Sequence, residues 1–185
     1  MDDKKFVSRG GIKLEFAIEN WKLRIENYVC LDVGSSTGGF VDCLLQNGAS
    51  KVYSVDTAYG ELAWKLRQDP KVVVMERTNI LHLESLPEQV DIITIDAGWT
   101  KLELVLPVVK KFLKANGQII ALLKPHYEAK EGQREKGVVK SEDLEEVVGN
   151  VINKIKMLGF DIKDQIESPI LGSNGKGNKE FLLLL

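Results

Sequence analysis

The chain has 185 residues, 44% apolar and 28% charged, with 16 glycines and only 5 prolines, a composition that excludes a disordered polymer and supports one sizeable core. Its 25 basic and 27 acidic side chains leave a formal charge of -2, so a nucleic-acid partner would need a local basic patch, not the field of the whole molecule. The start, Met1-Asp2-Asp3-Lys4-Lys5, is charged with no apolar segment behind it, and runs such as Ile119-Ile120-Ala121-Leu122-Leu123 are far too short to span a bilayer.

In chain order, Leu14, Ile18 and Trp21 mark a short amphipathic helix over 11–21. Apolar, β-branched runs at 28–33, 51–55, 72–75, 90–95 and 118–123 read as buried parallel strands, and helices are expected between them at 39–46, 61–68 and 102–113. A longer helix is predicted over 141–158, with Leu144, Val147, Val148, Val151, Ile152, Ile155 and Leu158 on one face, Ser141 as N-cap and Gly159 just past its end. Two last strands, 160–167 and 179–184, flank the glycine-rich stretch 172–177 and suggest a terminal hairpin with one antiparallel strand. The pattern predicts an α/β fold with a mostly parallel sheet and helices on both faces. The segment 125–140 carries charges of both signs and almost no core material, so it reads as a long functional loop.

Cys30 and Cys43 form no C-x-x-C pair, and His82 and His126 have no neighbouring cysteine or third histidine. Buried free thiols in a reducing cytoplasm are the expectation, with no metal cage.

The strongest local signal is Leu31-Asp32-Val33-Gly34-Ser35-Ser36-Thr37-Gly38-Gly39-Phe40, a strand that enters a helix through a glycine-rich turn. The next strand ends at Asp56, whose carboxylate suits two ribose hydroxyls. Ser36 stands where a dinucleotide fingerprint needs its second glycine, and Asp32 would repel a pyrophosphate. The same acid would suit an ammonium group, which favours S-adenosylmethionine over NAD.

Asp96 and Lys124 end apolar strands and Glu180 opens one. Buried lysine and carboxylate side chains seek partners, and Asp96 and Lys124 should emerge at the carboxyl edge of the sheet beside the glycine turn.

Ser8-Arg9-Gly10-Gly11-Ile12-Lys13-Leu14, the Asp32–Phe40 turn, Trp64-Lys65-Leu66-Arg67, Glu76-Arg77-Thr78-Asn79, Lys124-Pro125-His126 and Lys179-Glu180-Phe181 together resemble the FtsJ-like methyltransferase domain of the TlyA/haemolysin A family. The resemblance spans nearly the whole chain. It implies a Rossmann-like methyltransferase fold, S-adenosylmethionine as donor, and 2′-O-methylation of ribose in ribosomal RNA in the cytoplasm. It further implies a catalytic tetrad of Lys13, Asp96, Lys124 and Glu180, and a donor site formed by Asp32, Gly34, Ser35, Ser36, Gly38, Gly39, Phe40, Asp56, Thr57, Thr78, Asn79 and Asp96. In that tetrad Lys124 is the base or hydroxyl-orienting group, Asp96 and Glu180 are expected to orient it, and Lys13 is its electrostatic partner. A lysine amine accepts a proton only while neutral, so the four groups should titrate as a coupled set.

Full-length relatives carry an N-terminal S4 RNA-binding domain, whereas this sequence starts almost at the Ser-Arg-Gly-Gly motif. The expectation is one methyltransferase domain over 1–185, with 1–25 a helical lead-in bearing Lys13. Ala97-Gly98-Trp99 replaces the usual Val-Ser-Phe, so Trp99 either stacks a target base or packs under the next helix. RNA contact would rest on Lys4, Lys5, Arg9, Lys130, Arg134, Lys136, Lys140 and Lys176. The competing readings are a methyltransferase of this fold acting on a small molecule, and a non-enzymatic haemolysin-like binding protein.

Overall fold

The computed structural model describes residues 5–98, 100–172 and 177–185. Helix α1 (Gly10–Trp21) leads into β1 (Val29–Val33), α2 (Gly39–Gln46), β2 (Lys51–Val55), α3 (Trp64–Arg67), β3 (Val72–Met75) and β4 (Val90–Ile95). After these come α4 (Leu102–Val109), β5 (Leu113–Leu123), α5 (Pro125–Glu128), β6 (Arg134–Glu135), β7 (Val138–Val139), α6 (Leu144–Met157), β8 (Asp164–Glu167) and β9 (Phe181–Leu184).

Seven strands form one sheet in the order β3-β2-β1-β4-β5-β9-β8. Strands β1 to β5 pair in parallel, while β9 runs antiparallel between β5 and the edge strand β8. The expected α/β architecture with one reversed strand near the C-terminus is therefore present. It is a Rossmann-like sheet.

Successive strand residues face opposite sides of a sheet, and here both sides are buried. Along β5, Ile119, Ala121 and Leu123 join a core with Val105, Leu106 and Val109 of α4 and Val148, Val151 and Ile155 of α6. Ile120 and Leu122 join the opposite core with Leu14, Ala17 and Ile18 of α1 and Phe40, Val41 and Leu44 of α2. An apolar run without polar alternation is thus what this central strand requires. Strand order reverses between β1 and β4, and the crevice at the carboxyl ends of these strands is where open α/β sheets bind ligands.

Several boundaries differ from the expectations. The helix predicted over 61–68 shrinks to α3, because Ala63 N–H donates to the Thr37 carbonyl at 3.1 Å and ties 61–63 to the glycine turn. Ser141 does not cap α6: the cap position is Asp143, with no side-chain bond, because Asp143 N–H closes a turn onto Lys140 O at 3.0 Å. Leu158, assigned to the core face, follows the last helical residue and is 42% exposed. The helix predicted over 102–113 ends at Val109, passes through a 3₁₀ turn over Lys110–Phe112, and yields Leu113 to β5. The loop predicted over 125–140 holds α5 and a two-stranded hairpin of β6 and β7.

Candidate active site

The floor of the crevice is the β1–α2 turn. Gly34 has φ +83°, and a Cβ built on it would lie 2.7 Å from the Asp96 carbonyl oxygen. Only glycine lets the ends of β1 and β4 approach this closely, and Asp96 N–H donates to Val33 O at 2.9 Å to complete the join. Asp56 braces the turn from β2: its carboxylate accepts Ser36 N–H at 2.7 Å and Ala58 N–H at 2.8 Å.

The N-terminal segment forms the opposite wall. Val7 N–H donates to Asp42 Oδ2 at 2.8 Å, and Asp42 is a buried carboxylate on α2 that also pairs with Lys65 at 2.9 Å. A Cβ on Gly39 would collide with Ser8 Oγ and lie 2.8 Å from the Gly11 backbone nitrogen, so this glycine serves the contact between α1 and α2. The walls enclose a cleft of about 1160 Å³.

Of the residues assigned to a donor site, Gly34, Ser35, Ser36, Gly39, Phe40, Asp56, Thr57, Thr78, Asn79 and Asp96 line this cleft. Two of the assigned residues do not line it. Gly38, at φ +97°, is buried against Leu62 and Leu66, so its lack of a side chain serves packing. Asp32 is fully buried behind the turn, where its Oδ1 accepts Thr94 Oγ1–H at 2.6 Å and its Oδ2 has no hydrogen-bond partner. Burial pushes its carboxyl up to about 7, against bonds from Thr94 and Ser35 that lower it. Its carboxyl thus lies beneath the turn and is not open to the cleft.

The four tetrad residues resolve into two ion pairs. Lys124 Nζ lies 2.5 Å from Asp96 Oδ1, and both residues line the cleft where β4 and β5 end. Lys13 pairs with Glu180, with only 10% and 3% of their side chains exposed. The expectation that Glu180 orients Lys124 is corrected: Glu180 opens onto β9, two strands from β4, and engages the lysine that α1 brings over. A Cβ on Gly172 would come within 2.5 Å of Glu180 Oε1, so the chain leading to the glycine-rich stretch closes over the second pair. His126, in α5, stays below its ordinary pKa because burial disfavours its cation and Lys124, Arg134 and Lys13 repel it. Cations from three parts of the chain, Lys124, Arg134 and Lys13, thus surround His126.

Among the basic residues offered for RNA contact, Arg9 lines the cleft and donates to Leu171 O at 3.4 Å, while Lys5 is paired with Glu15. Lys130, Arg134 and Lys136 are exposed and Lys140 is half-buried. Lys4, Lys176 and Trp99 lie outside the described residues. The sequence reading missed Val7, Asp42 and Glu61. Glu61 lines the cleft and accepts Ser36 Oγ–H at 3.1 Å. A signal existed only for Asp42, a charge on the apolar face of a short helix. Cys30 and Cys43 are buried free thiols. Among the described residues no His, Cys, Asp and Glu cluster could hold a metal ion, and no helix is long and apolar enough to cross a membrane.

The residues present fit a nucleoside donor that carries an ammonium group. Asp56 keeps acceptor capacity at the end of β2, and the unpartnered Oδ2 of Asp32 lies under the turn, where an ammonium group would favour its ionised form.

The model of the FtsJ-like methyltransferase family matches residues 6–185. The chain is 43% identical to YqxC of Bacillus subtilis over 98% of its own length and 66% of that protein. It is 38% identical to the 16S/23S rRNA (cytidine-2′-O)-methyltransferase TlyA of Mycobacterium tuberculosis over 99% of its length and 69% of that protein. A solved structure of a protein of the hemolysin group from Streptococcus thermophilus superposes with a TM-score of 0.92 at 40% identity, covering 99% of this chain and 67% of that one. The chain thus spans about two thirds of the length of these relatives.

Proposed function

The chain belongs to the FtsJ-like methyltransferase family, and on that footing we propose that it transfers the methyl group of S-adenosylmethionine to a ribose 2′-hydroxyl of ribosomal RNA. The observation that carries this reading is the Lys124–Asp96 pair, set 2.5 Å apart at the mouth of the cleft beside the Gly34 turn. Relatives named for cytidine 2′-O-methylation of 16S and 23S ribosomal RNA support the choice of acceptor. On this reading the enzyme works in the cytoplasm. The described residues act as one catalytic unit, with the segment up to residue 25 carrying Lys13 to the site.

When bound, S-adenosylmethionine supplies a sulfonium-activated methyl group, so the protein's task is to aim and deprotonate a weak nucleophile. Asp96 fixes Lys124 in direction. Lys124 hydrogen-bonds the ribose hydroxyl and takes up its proton, for which the ammonium of the Asp96 pair must first give one proton to solvent. The donor would supply the methyl group to the ribose oxygen and leave as the neutral thioether. Lys13, locked by Glu180, adds positive charge beside the developing alkoxide. In-line placement of the reacting atoms supplies much of the remaining acceleration.

Tritiated methyl transfer to ribosomal RNA tests the proposal, with label expected in a linkage that resists alkaline cleavage at one ribose. Lys124→Ala should lower turnover by about 10²–10⁴-fold, the span of a positioned acid–base group, while binding of S-adenosylmethionine by calorimetry stays intact. Full turnover in that variant would refute the assignment.

A further inference from the structure

The chain leading into β9 carries a side chain that the tetrad does not use. Asn178 is 6% exposed and reaches across to the β6–β7 hairpin. Its Oδ1 accepts Val139 N–H at 2.7 Å, and its Nδ2 donates to the Gly137 carbonyl at 3.0 Å. An amide is suited to this because it presents an acceptor and a donor from one plane. The Asn178 carbonyl in turn accepts Gly172 N–H at 3.1 Å, next to Glu180.

A hairpin of two residues per strand does not hold its shape alone. Here three attachments hold it: the Asn178 amide, Val139 at 8% exposure, and Arg134 Nη1 donating to His126 O at 3.0 Å. The last of these ties it to α5, which starts directly after Lys124. The remainder faces outward, with Arg134, Glu135, Lys136 and Gly137 exposed and Val138 at 39%. Residues 130–140 hold four cations (Lys130, Arg134, Lys136, Lys140) against two acids (Glu131, Glu135), in a chain whose formal charge is -2. A rigid, outward, locally basic element beside the reaction centre is complementary to a polyanion.

We infer that the β6–β7 hairpin is the surface that grips the phosphate backbone next to the target ribose, and that Asn178 is a positioning residue fixing this surface relative to the Lys13–Glu180 and Lys124–Asp96 pairs. The inference rests on the RNA methyltransferase reading above and adds to it where the strand is held. The same chain segment that presents Glu180 sets the height of the hairpin, so RNA docking and the reaction centre share one anchor.

The test uses the whole chain and deproteinised 23S ribosomal RNA, with RNA affinity measured over a series of salt concentrations beside KM, kcat and S-adenosylmethionine affinity. A Lys130→Gln/Lys136→Gln double variant, altered only at exposed side chains that do not hold the hairpin, should raise the RNA KM. It should also lower the slope of log affinity against log salt by about 2, roughly one per phosphate-contacting cation removed. Asn178→Ala should raise the RNA KM about tenfold while kcat at saturating RNA and cofactor affinity hold. Asn178→Asp, which keeps the acceptor for Val139 and loses the donor to Gly137, should fall between. If wild-type protein methylates RNA and the double variant keeps its KM and salt slope, the hairpin is not the RNA surface and the proposed function stands. If wild-type protein neither binds nor methylates RNA, both fall. A fall in kcat at unchanged KM in Asn178→Ala overturns its positioning role.

Discussion

Glu180→Leu leaves the Lys13 ammonium in its buried position without a counter-charge. The two side chains are 10% and 3% exposed, and removing one partner of such a pair costs about 3–5 kcal/mol. Lys13 also borders the cleft, so water can reach it after the loss, and the lower end, about 3 kcal/mol, is expected. At about 2–4 °C per kcal/mol for a chain of this size, the melting temperature should fall by about 6–12 °C. The double variant Lys13→Met/Glu180→Leu removes both charges and replaces them with apolar groups of similar volume, a change that is often neutral or stabilising. Its melting temperature should return to within about 3 °C of wild type, yet methyl transfer should fall, because Lys13 no longer adds its charge beside the reacting oxygen. Thermal unfolding and tritiated-methyl transfer, run on the same preparations, separate the two effects. A single variant that melts like wild type would refute the burial argument, and a double variant with full turnover would remove the pair from the reaction.

The Asp32 carboxyl, raised by burial to about 7, stays protonated in the folded protein at pH values where the unfolded chain has ionised. Stability should therefore fall as pH rises from about 4 to about 7 and level off above, by at most about 4 kcal/mol. Asp32→Asn should flatten that slope in pH-dependent unfolding. An ammonium group in the cleft favours the ionised carboxylate, so S-adenosylmethionine should bind more weakly as pH drops below about 7, with uptake of ligand releasing a proton. Calorimetry in buffers of different ionisation enthalpy measures that proton, and an affinity unchanged from about pH 6 to about pH 8 would sink the linkage. Gly34→Ala places a Cβ 2.7 Å from the Asp96 carbonyl in a backbone of φ +83°. It should force β1 and β4 apart and abolish the thermal shift on adding S-adenosylmethionine; a wild-type shift would show that the turn does not need the close approach.

Much of the site was legible because its chemistry depends on residue type at fixed strand ends. Asp56, Asp96 and Lys124 each follow or end a short apolar run, and a parallel sheet brings such ends to one edge whatever the details of packing. The partner assignments were not legible. Glu180 could be matched to a motif, but its pairing with Lys13 depends on β9 running antiparallel beside β5 while α1 crosses above it. Asp32 read as a ligand contact because it adjoins the glycine turn, yet strand alternation points its side chain away from the cleft and toward Thr94.

By itself the sequence determined the alternation of elements, the glycine turn and the identity of the charged groups at the sheet edge. These are local matters, set by periodicity and by the conformations that glycine alone permits. Only the tertiary structure decided which charge faces which, that Asp42 holds the N-terminal wall, and that Asn178 reaches back to the hairpin at 137–139. Those contacts join residues about 35–41 positions apart or, for Lys13 and Glu180, 167 apart. No local propensity encodes such distances: they arise when two buried faces close on one sheet and most polar groups trapped there find a partner.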